Sequence, residues 1–317
     1  MERGEQEGGT MMMTRREWLA SGVAALAPGE TRPVICAFSK HFQWAGIPEM
    51  AETVASLGYE GVDLTVRPGG HVEPAGVEED LPRAAEIIAK AGLKLPMITS
   101  GIVDAASPHA ETVIKTCAAL GIRRYRWDGF RYDVSRPLPE QLEGFRARIA
   151  QLAALNRRYG VCAMYHTHSG PGRVGACMWD LYLLLKDADR EAVAVNFDIG
   201  HATVEGGYGG WIHSTRLLLP YTKGVAVKDF LWQRNEKGLW APRWRPLGEG
   251  MVNFRQFFAM LKQSGFSGPL QLHMEYAELA GADRGNRTFS IPKEKLLAIM
   301  RRDVDTLKAM LREAGWS

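Results

Sequence analysis

The chain has 317 residues, 46% of them hydrophobic and 24% charged, and a net charge of +3 from 39 basic and 36 acidic side chains. That is an ordinary globular composition, long enough for two domains or for one α/β barrel. It excludes a nucleic-acid binder read from charge alone, because the only basic clusters are short pairs such as Arg123-Arg124 and Arg301-Arg302. No segment approaches the ~20 consecutive apolar residues of a membrane helix, so no stable membrane association is expected.

The first recognisable element is Thr14-Arg15-Arg16-Glu17-Trp18-Leu19, followed by a weakly apolar run from Ala20 to Ala27. A charged stretch, a short apolar stretch and small residues resemble a twin-arginine export signal, so residues 1–32 read as signal and linker and the mature protein as periplasmic. The four cysteines, Cys36, Cys117, Cys162 and Cys177, lie far apart with no C-x-x-C. Zinc and redox motifs are therefore unsupported, and buried inert thiols are expected, although export would permit a disulfide.

From Pro33 to the C-terminus, short apolar runs alternate with helical patterns eight times. The expected strands are Val34–Phe38, Gly61–Val66, Leu93–Thr99, Ile122–Trp127, Val161–His166, Val193–Asp198, Gly224–Lys228 and Pro269–Glu275. Several begin behind a glycine, as at Gly92, Gly121 and Gly160, the residue that ends a helix by turning left-handed. Between them, Glu78 to Ala91, Pro137 to Tyr159 and Pro292 to Ala314 repeat apolar residues every three or four positions, as a helix with one buried face requires. Prolines 48, 108, 137 and 292 stand near helix starts, where a missing N–H costs nothing. Eight βα units with no long linker predict one α/β domain over residues 33–317, a closed (β/α)8 TIM barrel. No Gly-x-Gly-x-x-Gly follows the first strand, which argues against an open nucleotide-binding sheet.

In such a barrel chemistry gathers where strands end, and residues two apart on a strand face the same way. The fifth strand ends in His166-Thr167-His168, the sixth in Asp198 with His201 beyond it, the seventh in Lys228-Asp229 and the eighth in His273-Met274-Glu275. The second adds Asp63, Arg67 and His71. Imidazoles and carboxylates converging from successive strands are what a borderline divalent ion needs. Taken singly each has a bland reading, a satisfied histidine or a Lys228–Asp229 ion pair.

The eight units, Asp198-x-x-His201, Lys228-Asp229, the Pro246-Leu247-Gly248-Glu249-Gly250 loop and Glu275 together resemble the sugar phosphate isomerase/epimerase family, the xylose-isomerase-like barrels. The resemblance implies a Mn, Mg, Co or Zn ion held from strands five to eight, polarising a sugar carbonyl while nearby residues move protons. It assigns His166, Asp198, Glu275 and His273 to the metal. Glu275, His168, Lys228 and His201 would be catalytic, and Arg67, His71, His201 and Lys228 would bind a small carbohydrate. Two departures stand out: His166 occupies the place of a fifth-strand glutamate, and Ala226 that of a seventh-strand histidine. The first resembles keto-inositol dehydratases and keto-sugar lyases of the same superfamily, and it removes half of the two-glutamate arrangement of the epimerases. An isomerase or epimerase is the expectation, with a dehydratase or lyase, or a non-catalytic sugar-binding barrel, as alternatives. An endonuclease-type phosphodiesterase would need more ligands and a basic DNA face. A homo-oligomer is compatible with the sequence.

Overall fold

The computed structural model describes residues 32–316; the export-signal expectation lies outside the described residues. Eight parallel strands close into a barrel, β1 (Ile35–Phe38), β2 (Gly61–Val66), β3 (Lys94–Ser100), β4 (Arg124–Trp127), β5 (Cys162–His166), β6 (Val193–Asp198), β7 (Thr222–Val227) and β10 (Leu270–Leu272). Closure is made by β10, which lies between β7 and β1 and pairs Leu270 with both Val225 and Ile35. An antiparallel hairpin, β8 (Asp229–Arg234) and β9 (Trp240–Arg245), extends from the end of β7. Sequence periodicity did not reveal it, because its exposed arginines and tryptophans alternate without an apolar face.

The helices are α1 (Ile47–Ser56), α2 (Val77–Lys90), α3 (Ala110–Ala119), α4 (Leu138–Tyr159), α5 (Trp179–Leu185), α6 (Ile199–Gly206), α7 (Gly210–Leu218), α8 (Phe254–Gln263) and α9 (Lys293–Glu313). Gly92, Gly121 and Gly160 take φ of +78°, +75° and +63°. This left-handed turn releases each of α2, α3 and α4 into the next strand. Among the described residues no helix is long and apolar enough to cross a membrane. All four cysteines are free thiols; Cys36, Cys117 and Cys162 are buried, whereas Cys177 is exposed, contrary to the expectation of a uniformly buried set.

Strand alternation divides the barrel into two cores. Odd-numbered residues of β5 and β6 (Ala163, Tyr165, Val193, Val195 and Phe197) join the large cluster under the helices. Cys162, Met164 and Ala194 instead meet Met97 in a small separate cluster. Side chains alternate with period two, so the same inward rows continue upward into His166 on β5 and into Asn196 and Asp198 on β6. The apolar plug at the bottom thus fixes what stands at the top.

Candidate active site at the strand ends

Asp198 closes β6 and begins α6, and its two oxygens do different work. Oδ1 accepts the His201 N–H at 3.0 Å and caps the helix. Oδ2 faces the barrel axis, 3.6 Å from His166 Nε2, 3.9 Å from His273 Nδ1 and 3.2 Å from Lys228 Nζ. It is fully buried and makes no directed hydrogen bond, the Lys228 contact being an ion pair. Both ring nitrogens of His273 are likewise buried without a hydrogen-bond partner. Such orphaned atoms are rare in a folded interior because each forfeits its hydration. Here two of them, Asp198 Oδ2 and His273 Nδ1, face each other at 3.9 Å.

Lys228 reaches the same place from the end of β7. Its ammonium donates to His201 Nε2 at 2.7 Å and to Glu275 Oε2 at 2.8 Å, and pairs with Asp198 at 3.2 Å. Two of its three N–H bonds are thus accepted by His201 and Glu275 beside the Asp198 ion pair, and the Trp244 ring from β9 lies 4.3 Å away. Gly200 makes this approach feasible: a Cβ there would stand 2.7 Å from Lys228 Cγ. Asp-Ile-Gly-His therefore reads as cap, packing residue, clearance and ligand to the lysine. Accepting from Lys228, His201 carries its proton on Nδ1 and donates it to Ser169 Oγ at 2.7 Å.

Electrostatics keep the imidazoles neutral. Burial holds His166, His201 and His273 well below the usual histidine range, and Arg126 and Lys228 add to it. His168 is lowered to about 2 for the same reasons. Neutral imidazoles with free lone pairs are the form in which histidine binds metal ions. Asp198 is raised by burial, which Lys228 and the His201 N–H oppose. Burial would raise Glu275 too, but Lys228 and Lys40 outweigh it and hold that carboxyl well below its ordinary value.

The residues nominated from sequence mostly meet at this mouth. His166, Asp198 and His273 form one group whose donor atoms lie within 4.8 Å of one another; His166, His168 and His201 form a second. Glu275 is in neither, being held by Lys40 at 3.2 Å and Lys228 at 2.8 Å. Arg67 stands over the Phe38 ring at 5.9 Å, while His71 Nδ1 is hydrogen-bonded to Thr65 Oγ1 at 3.2 Å on the β2 side. Lys228 and Asp229 part company, since Asp229 turns into the Gly248–Val252 loop. Four contributors escaped the sequence reading. Lys40 follows β1, and Arg126 on β4 approaches His168 Nε2 at 3.4 Å. Trp244 belongs to the hairpin, and Asn196 Nδ2 lies 3.1 Å from His166 Nδ1. The inward parity of Asn196 and Arg126 was a usable signal; the position of Trp244 was not.

A family model described as a xylose isomerase-like TIM barrel matches residues 51–310. The chain belongs to that family. No protein of curated function matches it. Among solved structures, a xylose isomerase-like TIM barrel protein from Mycobacterium smegmatis in complex with magnesium is 18% identical, with 86% of this chain and 97% of that one covered and a TM-score of 0.61. A D-tagatose 3-epimerase-like protein is 15% identical over 88% and 97%, with a TM-score of 0.65. A protein from Bacillus anthracis described as the probable 3-DHS dehydratase of petrobactin synthesis is 16% identical over 87% and 98%, with a TM-score of 0.60. At these identities the likeness is one of fold.

Proposed function

We propose that this family member is a metal-dependent enzyme that moves a proton next to the carbonyl of a small sugar or keto-sugar, giving isomerisation or epimerisation. The observation that carries the reading is the meeting of Asp198 Oδ2, buried without a hydrogen bond, with the unpartnered Nδ1 of His273 and with Nε2 of His166 at the barrel mouth. These donors suit a divalent ion, and His166, Asp198 and His273 would hold it. Such an ion supplies Lewis acidity to a carbonyl and the hydroxyl beside it.

The remaining roles fall to the chain's own side chains. Lys228, anchored by Glu275 and His201, presents an ammonium where negative charge grows on the substrate oxygen. His201 can pass its Nδ1 proton through Ser169 Oγ. Glu275 stays ionised at neutral pH and can accept a proton, though two flanking lysines make it a weak base. His168 is the second candidate base, and Arg126 and Arg67, both over Phe38, line the side from which a polyol would be held.

A dehydratase or lyase is the second reading, favoured by His166: buried against Asn196, it leaves no fifth-strand carboxylate to return a proton to the opposite face. A panel of ketoses, aldoses and keto-sugars incubated with the metal-loaded protein in D2O tests both. Loss of one C–H signal with the carbon skeleton retained supports the first reading, and appearance of a conjugated enone supports the second. Protein that exchanges no C–H of any panel member would count as a non-catalytic binding barrel.

A further inference from the structure

The proposed function leaves the ion unspecified; the donors at the barrel mouth narrow it. Resting on that reading, we propose that the centre is a site of two imidazoles and one carboxylate, His166, His273 and Asp198, and that it selects a borderline transition ion of the Fe(II), Co(II) or Zn(II) class over magnesium.

The choice between the two histidine groups follows from which lone pairs are spoken for. In the group with His168 and His201, His201 Nε2 accepts from Lys228 and its Nδ1 donates to Ser169. His168 Nδ1 is bonded to the His166 carbonyl at 3.2 Å, and its Nε2 meets the Arg126 guanidinium. Neither has a nitrogen to spare. In the group with Asp198 and His273, both His273 nitrogens lack a partner, and Asp198 Oδ2 accepts no hydrogen bond and meets a single ammonium, Lys228, as an ion pair at 3.2 Å. The separations of 3.6 Å and 3.9 Å to Asp198 Oδ2 lie within the ~4.2 Å that two metal bonds of ~2.1 Å can span.

The same accounting excludes Glu275 as a ligand. Two ammonium groups hold it, and drawing it to a dication would leave Lys228 and Lys40 short of their counter-charge. Asp198 gives a single oxygen because Oδ1 caps α6. The ion thus meets one carboxylate oxygen and two nitrogens. Magnesium favours oxygen ligands and sheds its water reluctantly, whereas imidazole suits iron, cobalt, nickel and zinc.

Asn196 sets the ring that must turn a lone pair to the ion. Its carboxamide lies 3.1 Å from His166 Nδ1 and 2.7 Å from Gln271 Oε1, while its own Oδ1 is buried without a partner. The two ends of an amide are exchangeable by a half-turn. With Asn196 and Gln271 both turned, so that Gln271 Nε2 donates to Asn196 Oδ1 in place of the present bond, Asn196 accepts from His166 Nδ1–H and leaves the Nε2 lone pair free for the metal. It acts here as a positioning residue.

The test is direct metal binding, followed in the full chain by the visible absorption of Co(II) and by competition with Mg(II), with folding checked by melting curves. Co(II) is expected to bind one per chain at least ~10³-fold more tightly than Mg(II). His273→Ala should weaken Co(II) binding ~100-fold or more and Asn196→Ala ~10–100-fold, while Glu275→Gln stays within ~3-fold of the parent. Magnesium binding as tight as cobalt, or loss of the site in Glu275→Gln with retention in His273→Ala, would overturn the inference while leaving a metal-dependent enzyme intact. Should His273→Ala not fold, the Co(II)-to-Mg(II) ratio of the parent protein decides alone. A protein that binds no divalent ion would overturn both readings, and tight Co(II) binding without C–H exchange would overturn only the proposed function.

Discussion

Two buried aspartates stand at neighbouring strand ends, Asp198 after β6 and Asp229 after β7, and they are provided for in opposite ways. Asp229 accepts four backbone N–H bonds, from Phe230 at 2.9 Å, Gly248 at 3.0 Å, Gly250 at 2.9 Å and Val252 at 3.2 Å. A Cβ on Gly250 would stand 2.0 Å from its Oδ1, so the loop closes on this carboxylate with no room to spare. Asp198 has one oxygen satisfied and the other facing three imidazoles and an ammonium. The same side chain in the same kind of place ties a loop down in one case and keeps an oxygen without a hydrogen bond in the other. Counting hydrogen bonds tells them apart where burial does not.

Substitution should separate them. Asp198→Asn is expected to lose metal binding and to lower turnover by ~10³-fold or more, with the apoprotein melting within a few degrees of the parent. A large fall in apoprotein melting temperature would mean that Asp198 is structural after all. Asp229→Asn should do the reverse: its amide would confront N–H donors, costing about 3 kcal/mol of stability in denaturant unfolding while metal content is unchanged. Lys228→Met lies between the two. The metal should remain, because the ion itself compensates Asp198, and turnover should fall ~10²-fold in steady-state assays; loss of the metal would show instead that Lys228 helps to build the site.

A pair of histidines repeats the comparison. His41 and His273 lie 6.5 Å apart, but His41 uses both nitrogens, accepting the Met274 N–H at 3.1 Å and donating to the Ala282 carbonyl at 3.3 Å. Burial, with Lys40 beside it, lowers His41 to about 3. In the unfolded chain it takes up a proton below its ordinary value of ~6.5, while in the fold it does not until about pH 3, so stability is lost as pH falls between the two. This one group should contribute about 2 kcal/mol of loss between pH 7 and pH 5. His41→Gln should flatten the pH dependence of the denaturation midpoint by about that amount, and an unchanged slope would place the titration elsewhere.

How much of this was legible beforehand depended on period and partner. β2 and β6 lie where alternation and the flanking turns placed them, Gly61–Val66 and Val193–Asp198. β10 ends at Leu272, before the expected Glu275, because the chain leaves the ladder there and His41 takes up the Met274 N–H. The inward row of β6 made Asp198 visible as a buried charge in an apolar strand, and Lys228 visible as its rival cation. The structure places lysine and imidazoles on the same oxygen, so the rivalry is one of position within a single site. Sequence could not show that Glu275 would be captured by Lys40, which arrives from β1, the first strand closing beside the last, nor that Trp244 would roof Lys228 from an exposed hairpin. Both depend on closure of the ring and on a loop with no periodic pattern of its own. Which histidine nitrogens are left without partners is a property of three-dimensional packing alone.

The most direct test is metal quantification on the parent protein and the two aspartate variants after loading and desalting. About one divalent ion per chain is expected in the parent and in Asp229→Asn, as one three-donor centre holds one ion, and essentially none in Asp198→Asn. A parent protein that retains no metal, or an Asp198→Asn variant that retains as much as the parent, would contradict the account.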